Sequence, residues 1–407
     1  MTTILLICGT LFIAVGETSL AFSLDGYDSK IDSPLGPKSM ADMVLPHGYP
    51  LEEHEIETED GYLLTVYRIP YGLNNSAQGS RRPPLFLQHG ILSNSACWVL
   101  SDPSKGLAFI LADAGYDVWM GNSRGSTYSR KHRTLNPDID KAQFWNFSFH
   151  EMGYYDLPVV IDFIRERTKE DKVTYVGHSQ GTTIYFVLAS TRPEYNDRIK
   201  VMSALAPIAF LGHTRGTVRL LTRFSFILTK IIQWWGIYEL FRDNFLLHFL
   251  VGEICRRRAF TRPICDNTLF LFAGFDSQQL NSSLIPEIAD HSPGGASSKQ
   301  FIHFGQLANN GEKFRMFDYG RDNRNHYGSD APPEYPLGKV TSPVILQFSD
   351  NDWLAGIKDV EKLYGSLPNA RKFEVPYPYF NHLDFLWAIN VREVLYDPLI
   401  KMLKEYQ

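Results

Sequence analysis

Residues 172–190 read KVTYVGHSQGTTIYFVLAS, and this stretch decides the fold. Its first five residues form a short apolar run that predicts a strand, and Thr182–Ser190 has a helical pattern. Between them, Gly-His-Ser-Gln-Gly matches the Gly-x-Ser-x-Gly pattern of a nucleophile elbow, in which a strand turns sharply into a helix. The two glycines leave room for a strained serine and for backbone close to its Cβ. The bare pattern is frequent by chance, but in this strand-to-helix context it predicts that Ser179 is a nucleophile.

Strand-like and helix-like segments alternate along the chain on both sides of this elbow. Helical patterns at Gly106–Ala114 and Tyr155–Arg167 lie between short apolar runs that are followed by turn residues. Such alternation predicts an α/β protein of the α/β-hydrolase fold, with a mostly parallel central sheet and helices on both faces. Gly61–Ile69 predicts an exposed β-ribbon. The other predicted strands are Pro84–Gln88, Asp117–Met120, Lys172–Val176, Lys200–Leu205, Pro343–Phe348 and Arg371–Val375.

One long segment breaks the alternation. From Ile208 to about Pro336, helix-like stretches rich in Leu, Phe, Ile and Trp replace the strand signals. The 407 residues contain no repeat or linker that would divide them into separate domains. The sequence therefore predicts a signal peptide at residues 1–16, a first part of the hydrolase core at 17–207, a helical cap or lid at 208–336, and the second part of the core at 337–407.

The composition is that of an ordered globular protein, since 44% of the residues are hydrophobic and 14% are aromatic. This excludes an intrinsically disordered chain. The 40 Lys and Arg residues against 45 Asp and Glu residues give a net charge of −5, and no basic run is long enough to follow a phosphate backbone. Nucleic acid is therefore not an expected partner. No spacing of Cys and His suggests zinc, and neither a metal nor a cofactor is expected.

Hydrolysis by a serine needs a histidine base and an acid that orients it, and in α/β-hydrolases the chain order is serine, acid, histidine. Asp352 lies just after the predicted strand that ends at Phe348, and His382 lies in the loop after the strand that ends at Val375. Both positions are where the fold requires these groups. We therefore predict a catalytic triad of Ser179, His382 and Asp352.

Two other aspartates lie close to these positions. Asp350 is two residues from Asp352 and is the alternative acid on position alone. Asp384 follows the histidine, and we expect it to fix the histidine loop instead of taking part in the reaction.

The oxyanion hole of this fold takes one backbone N–H from the residue after the nucleophile and another from the loop after an early strand. These criteria select Gln180 and Ile91. His89 and His178 lie beside them. We expect both to be packing residues that are hydrogen-bonded to the backbone.

The N-terminus has the features of a secretory signal peptide. Ile4–Val15 is apolar, is followed by small residues, and is too short to span a bilayer comfortably. An uncleaved signal anchor is the alternative. No later apolar run reaches spanning length, so no transmembrane anchor is expected.

An oxidising compartment would permit one disulfide bond. Cys255 and Cys265 are close in sequence and are the natural pair, which leaves Cys97 as a buried free thiol. Asn-x-Ser sequons also begin at Asn74, Asn146 and Asn281.

The sequons differ in their surroundings. Asn281, followed by two serines, is the most loop-like, and it is predicted to carry a glycan together with Asn74. Asn146 lies among aromatic residues, so we expect it to be partly buried and not glycosylated.

With these residues placed, the sequence resembles the acid lipase family of gastric and lysosomal acid lipases and their insect relatives. The resemblance runs from about Tyr49 to the C-terminus. The motifs that carry it are Glu59-Asp60-Gly61-Tyr62, Leu87-Gln88-His89-Gly90, Ala112–Gly125 (ADAGYDVWMGNSRG), Tyr155-Asp156-Leu157-Pro158, Gly177–Gly181, Ala273-Gly274-Phe275-Asp276 and Asn381–Phe385 (NHLDF).

The resemblance implies the same site as the residues do. It places the family's serine, aspartate, histidine and two oxyanion donors on Ser179, Asp352, His382, Ile91 and Gln180. It further implies a cap disulfide at Cys255 and Cys265, and a lid that covers the site until a lipid surface opens it. Two departures are Ala273, where relatives have a further cap cysteine, and Gly356, where they usually have Asp.

Two classes of function are compatible with the sequence. The first is a serine lipase that hydrolyses ester bonds of neutral lipids, either triacylglycerol or cholesteryl ester, at a lipid/water interface. The second is a non-catalytic lipid-binding or storage protein on the same fold. Because all three triad residues are present, we favour the enzyme. Secretion is the expected fate, with the lysosomal lumen as the alternative.

The cap carries an excess of large apolar side chains. Between Phe224 and Leu250 they outnumber what one core-facing stripe requires, so some are expected to contact lipid, although packing within the cap is the alternative for each residue.

Overall fold

The structure is a computed structural model, and it describes residues 37–73, 81–223, 225–241, 273–276, 278–279, 281 and 283–407. Several expected features lie outside these ranges: the signal peptide at residues 1–16, the sequon at Asn74, and the cysteines Cys255 and Cys265. They stay predictions.

Nine strands of the described chain form one mixed sheet at the centre of the fold. They are β1 (Glu52–Glu57), β2 (Tyr62–Ile69), β3 (Pro84–Gln88), β4 (Asp117–Gly121), β5 (Lys131–His132), β6 (Val173–His178), β7 (Ile199–Leu205), β10 (Val344–Phe348) and β11 (Ala370–Glu374); β8 (Glu239–Leu240) and β9 (Ala296–Ser297) pair with each other separately. The strand order is β1-β2-β4-β3-β6-β7-β10-β11, with β5 beside β2. From β4 to β11 neighbouring strands are parallel, whereas β2 is antiparallel to β1, β4 and β5.

This is the α/β-hydrolase fold that the sequence predicts. The six apolar runs become strands β3, β4, β6, β7, β10 and β11, and each strand lies within two residues of its expected bounds. Strands β3, β4, β6 and β10 are buried along their whole length, which explains why they are nearly continuous apolar runs.

The expectation of an exposed ribbon at Gly61–Ile69 is wrong. This segment is β2, and most of its side chains are buried because it lies inside the sheet between β1 and β4. The strand that pairs with its outer edge, β1, has the sequence EEHEIE and contains no apolar run. Its exposed residues, Glu53, Glu55 and Glu57, alternate with residues that are partly or fully buried, as in an edge strand with one solvated face.

Helices flank the sheet at the expected places. The three helices expected around the elbow are Leu107–Asp113, Leu157–Thr168 and Gln180–Thr191, the second of which follows a π-helical turn at Met152–Asp156. None of the helices in the described ranges combines the length and hydropathy needed to span a bilayer. The other α-helices are Met40–Val44, Lys141–Phe144, Phe149–Glu151, Gly216–Arg223, Ser225–Trp234, Ile285–His291, Ser298–Asn310, Asn323–Tyr327, Ile357–Ser366, Asp384–Trp387 and Asp397–Lys404.

A long insertion separates two neighbouring strands of the sheet. Strand β7 ends at Leu205, and β10, which pairs with it in parallel, begins at Val344. The described elements between them are helices and the short pair β8 and β9. The helical cap predicted at 208–336 falls inside this insertion, and its bounds stay a prediction.

Three of the motifs behind the family resemblance meet at one buried side chain, Arg124. Its guanidinium donates hydrogen bonds to Asp60 and, at 2.6 and 2.8 Å, to Asp156. It also lies 4.1 Å from the centre of the Tyr62 ring. The two carboxylates and the ring offset the cost of burying the cation, so the contacts of Arg124 stabilise the core.

Candidate active site

Ser179 lies in a strained turn at the carboxyl end of β6, the strand between β3 and β7. Its φ of 52° and ψ of −121° place it in a region that residues with a side chain rarely adopt. A Cβ added to Gly181 would lie 2.3 Å from the carbonyl oxygen of Gln88, and one added to Gly177 would lie 2.8 Å from Gly181. Only glycine fits at either position, because any side chain there would clash with the neighbouring backbone.

Backbone hydrogen bonds hold the elbow in this conformation. The amide of Ser179 donates to the carbonyl of Leu205 at 3.0 Å, and the Thr182 hydroxyl donates to the carbonyl of Ser179 at 2.7 Å. The same Thr182 oxygen accepts from the amide of Ile208 at 2.8 Å. The start of the insertion is thus fixed to the serine turn.

The predicted acid and base form a hydrogen-bonded pair in two later loops. His382 Nδ1 lies 2.8 Å from Asp352 Oδ2, and both side chains are buried. The second oxygen, Asp352 Oδ1, accepts from the amides of Leu354 and Ala355 at 2.9 and 2.8 Å. Because the carboxylate is held on both sides, it orients the imidazole with Nδ1 protonated and Nε2 free to accept a proton.

The two neighbouring aspartates take other roles. Asp350 points outward and pairs with Arg215 at 3.1 Å, away from the histidine. Asp384 accepts a hydrogen bond from the amide of Asn381 at 2.7 Å, so it braces the histidine loop as the sequence suggested.

His89 and His178 are bonded to the backbone, as expected. His89 Nδ1 donates to the carbonyl of Gly90 at 2.7 Å, and its Nε2 accepts from the amide of Ser123 at 3.0 Å. His178 Nε2 donates to the carbonyl of His382 at 3.0 Å. Burial lowers the pKa of His89 to about 4 and that of His178 to about 3, so both rings are neutral.

The loop after β3 touches the serine directly. A Cβ added to Gly90 would lie 3.0 Å from the Cβ of Ser179, and Ile91 is the next residue of this loop. Gln180 is buried at the start of the helix that follows the serine. Among the described hydrogen bonds, none joins the Ser179 hydroxyl to the His382 ring. The catalytic assignments therefore remain predictions.

A segment of the insertion between β7 and β10 joins the loops that carry Asp352 and His382, and no local pattern in the sequence predicts this contact. The carbonyl oxygen of Ala273 accepts from the amides of Trp353, at 3.4 Å, and His382, at 3.3 Å. The next residue, Gly274, has a φ of 115°, and a Cβ there would lie 2.3 Å from the carbonyl of Asn351. The glycine of the Ala-Gly-Phe-Asp motif was the signal that could have indicated this close approach.

Other expected sites lie away from the triad. Asn281 is half-buried, and its side-chain oxygen accepts from the Ser283 hydroxyl at 2.7 Å. The expectation that Asn146 is partly buried is wrong: it is exposed and accepts from Lys299 at 3.0 Å, because its aromatic neighbours turn inward and it turns outward. Cys97 is a buried free thiol. Within the described ranges, no group of three or more His, Cys, Asp or Glu residues is arranged to hold a metal ion.

A strained serine after a central parallel strand, with an acid and a histidine in later loops, defines a serine-type α/β-hydrolase. The family model for the alpha/beta hydrolase fold matches residues 83–388, and the model for a partial alpha/beta-hydrolase lipase region matches residues 40–102. Relatives that are 39–44% identical over most of the chain identify the family within this class: the chain belongs to the acid lipase family.

The relatives match over nearly their whole length. Gastric triacylglycerol lipase of Rattus norvegicus is 42% identical over 92% of this chain and 93% of its own. Lipase 3 of Drosophila melanogaster is 44% identical over 88% and 91%. Lysosomal acid lipase/cholesteryl ester hydrolase of Macaca fascicularis is 39% identical over 91% of each chain. A solved structure of a proposed lipase from Sulfolobus solfataricus, 13% identical, covers 93% of this chain and 99% of its own with a TM-score of 0.59, which supports the shared fold.

Proposed function

We propose that this protein is a serine lipase that hydrolyses the carboxylic ester bonds of neutral lipids through Ser179, His382 and Asp352. The observation that carries the proposal is the buried 2.8 Å pair between His382 and Asp352 beside the strained elbow of Ser179. A protein that only bound or stored lipid would have no need of either arrangement. The non-catalytic alternative is therefore not favoured.

In the proposed reaction, the Ser179 hydroxyl attacks the ester carbonyl carbon while His382 Nε2 takes its proton. The alcohol then leaves with the proton that His382 returns to it, and the acyl group stays on the serine. Water then attacks the acyl-enzyme in the same way, with His382 again taking a proton and returning it to Ser179, and the fatty acid is released. Asp352 keeps the imidazole in the tautomer with Nδ1–H and stabilises the positive charge that forms on the ring.

The negative charge on the carbonyl oxygen of the tetrahedral intermediate needs hydrogen-bond donors that are already in place. We assign the backbone N–H groups of Gln180 and Ile91 to this role. The contact of Gly90 with Ser179 supports the second donor, and the helix that begins at Gln180 adds the positive end of its dipole.

The substrate class is inferred from the relatives and from the cap. Relatives are named for triacylglycerol and for cholesteryl ester, and both are esters of long acyl chains. In the cap, the side chains of Trp234 and Trp235 are 83% and 60% exposed, and Ile231, Tyr238 and Phe241 are exposed beside them in sequence. Burying one large apolar side chain yields about 1.5–3 kcal/mol, so several of them in contact with lipid could hold the protein at a lipid/water interface without charge attraction.

The secretory route fits this chemistry. The apolar N-terminus, the pair Cys255 and Cys265 and the sequon at Asn281 all belong to a protein that enters the secretory pathway. We propose that the mature protein is secreted, with delivery to the lysosomal lumen as the second fate. Endoglycosidase treatment of protein from cells should lower its mass.

Labelling with a serine-directed phosphonate tests the enzyme proposal. The reagent should attach to Ser179, and Ser179→Ala should abolish both labelling and turnover while the protein stays folded. A panel of triacylglycerol, cholesteryl ester and short soluble esters then identifies the substrate. Near wild-type hydrolysis of a long-chain ester by Ser179→Ala would contradict the assignment.

A further inference from the structure

The sequon Asn146-Phe147-Ser148 presents its asparagine to solvent. It lies in an irregular connection between two short helices. Its aromatic neighbours predict a partly buried asparagine without a glycan. In the structure Trp145 and Phe147 are each 1% exposed, whereas Asn146 between them is exposed. The reason for excluding a glycan at this sequon therefore does not hold.

The contacts of Asn146 leave free the atom that a glycan would use. Lys299 Nζ donates a hydrogen bond to the side-chain oxygen Oδ1 at 3.0 Å. Among the described residues, no hydrogen bond involves the amide nitrogen Nδ2, which is the atom that joins the sugar. Because a glycosylated amide keeps its oxygen as an acceptor, the contact with Lys299 is compatible with a glycan. The folded chain can therefore carry a sugar at Asn146 without losing this hydrogen bond.

Contacts with the insertion between β7 and β10 hold the residues on either side of Asn146. Ser297 Oγ donates to the carbonyl of Trp145 at 2.6 Å, and His303 Nδ1 lies 3.0 Å from Ser148 Oγ. Ser297 and His303 both belong to the insertion, as does Lys299. Asn146 therefore has a fixed place at the boundary between the hydrolase core and the insertion, and its side chain is directed outward.

The sequon at Asn281 presents its asparagine less openly. Asn281 is half-buried, and its Oδ1 accepts from the amide and the hydroxyl of Ser283 at 3.2 and 2.7 Å. Its side chain is thus folded back on the serine of its own sequon. Of the two sequons whose asparagine the structure describes, the one at Asn146 offers the more accessible side chain.

We propose that Asn146 carries an N-linked glycan at the boundary between the core and the insertion. In the step that forms it, Nδ2 attacks the anomeric carbon of an oligosaccharide that is joined through a pyrophosphate to a lipid carrier. The new carbon–nitrogen bond forms as the bond from this carbon to the pyrophosphate oxygen breaks. One proton of Nδ2 passes to a base of the transferase, and the lipid pyrophosphate leaves. This transfer takes place in the lumen of the secretory pathway, so the inference rests on the proposed secretory route.

The test is a map of the glycosylated peptides of the full-length protein, recovered from the cells and the medium of an animal-cell host. Digestion with peptide-N-glycosidase in water labelled with heavy oxygen converts each glycosylated asparagine into a labelled aspartate, which mass spectrometry locates. The peptide that contains Asn146 should be labelled, and an unlabelled peptide overturns the proposal. Label at Asn281 or Asn74 would then show that the secretory route is correct, whereas no label at any of the three sequons overturns that route as well.

Asn146→Asp is the matched variant, because its carboxylate can still accept from Lys299 while the acceptor nitrogen is absent. Before digestion its mass should be lower than that of the wild type by one glycan. After digestion the two masses should agree, since the glycosidase itself turns a glycosylated asparagine into aspartate. Asn369→Asp, which changes an exposed asparagine outside any sequon, is the control and should keep the full glycan mass. Equal masses of Asn146→Asp and the wild type before digestion would overturn the proposal, and phosphonate labelling of Ser179 tests the lipase chemistry independently.

Discussion

The ring of His178 donates a hydrogen bond to the backbone carbonyl of His382, at 3.0 Å. His178 is the residue before Ser179, so the nucleophile turn and the base loop are joined through a neutral ring and a peptide group. This bond does not depend on the protonation of His382. In the proposed mechanism, His382 can therefore gain and lose its proton while its loop keeps the same position relative to Ser179.

The two aspartates of the acid loop should differ sharply when each is replaced by asparagine. In Asp352→Asn the carboxylate that accepts from His382 Nδ1–H is lost, and the amide favours the wrong tautomer of the imidazole. We therefore expect kcat to fall by about four orders of magnitude. Asp350→Asn removes only an exposed ion pair and should change kcat less than about threefold. Steady-state hydrolysis of a soluble ester measures both. The reverse order would assign the acid role to Asp350.

Gly181→Ala should damage the elbow. The new methyl group would meet the backbone of Gln88 at 2.3 Å, and neither backbone segment can move without shifting Ser179. We expect a loss of about 1–3 kcal/mol in the free energy of unfolding and strongly slowed phosphonate labelling. The matched control is Gly365→Ala, in the helix Ile357–Ser366, where a methyl group meets nothing within 4 Å. That change should raise stability by about 0.5–1 kcal/mol. Equal effects of the two changes would contradict the steric account.

Arg124→Met should destabilise the core, because it leaves the carboxylate of Asp156 buried without its cation. Removing one partner of a buried ion pair costs about 3–5 kcal/mol. Arg133→Met, which breaks an exposed pair with Glu57, should cost less than about 1 kcal/mol. Urea unfolding of both variants gives the comparison, and a cost for Arg124→Met as small as the control's would mean that the network is not needed for stability.

Replacing Trp234 and Trp235 with Ser should lower activity on emulsified long-chain substrate far more than on a soluble short ester. The exposed indoles are the proposed contacts with lipid, and a soluble ester does not need them. Ile139→Ser, which changes another highly exposed apolar residue outside the cap, is the control and should affect neither assay. If both activities fall together with the melting temperature, the tryptophans hold the cap in place and do not bind lipid.

The stability of the wild type should depend on pH through Asp384. Its pKa is about 8 in the folded protein and about 3.9 in an unfolded chain, so the folded state binds more protons between these values. The contribution of this group to the free energy of unfolding is therefore complete below pH 4 and is lost as pH rises toward 8. Asp384→Asn should remove this slope from a series of melting curves. Parallel curves for the two proteins would show that the group is not protonated in the folded state.

The parts that the sequence predicts well are those set by local pattern or by topology. Strands such as β6 and β10 are apolar because both faces are covered. The proposed triad is likewise derived from chain order and from the carboxyl ends of parallel strands, and its catalytic role stays a prediction. The edge strand β1 is not predicted from the sequence, because its pairing with β2, and not its composition, makes it a strand. The direction of a side chain such as Asn146, and contacts between residues as distant in sequence as Ala273 and His382, depend on packing that no local pattern encodes.

The pairing of β7 with β10 sets an order of events during synthesis. The elbow of Ser179 and strand β7 leave the ribosome before the insertion, whereas β10, Asp352 and His382 follow it. At about 5–20 residues per second, the segment 206–343 takes roughly 7 to 28 s to translate. During that interval β7 has an unpaired edge and the serine has no base. The edge of β7 therefore stays open, and the proposed triad stays incomplete, until the last strands and loops of the core have been made.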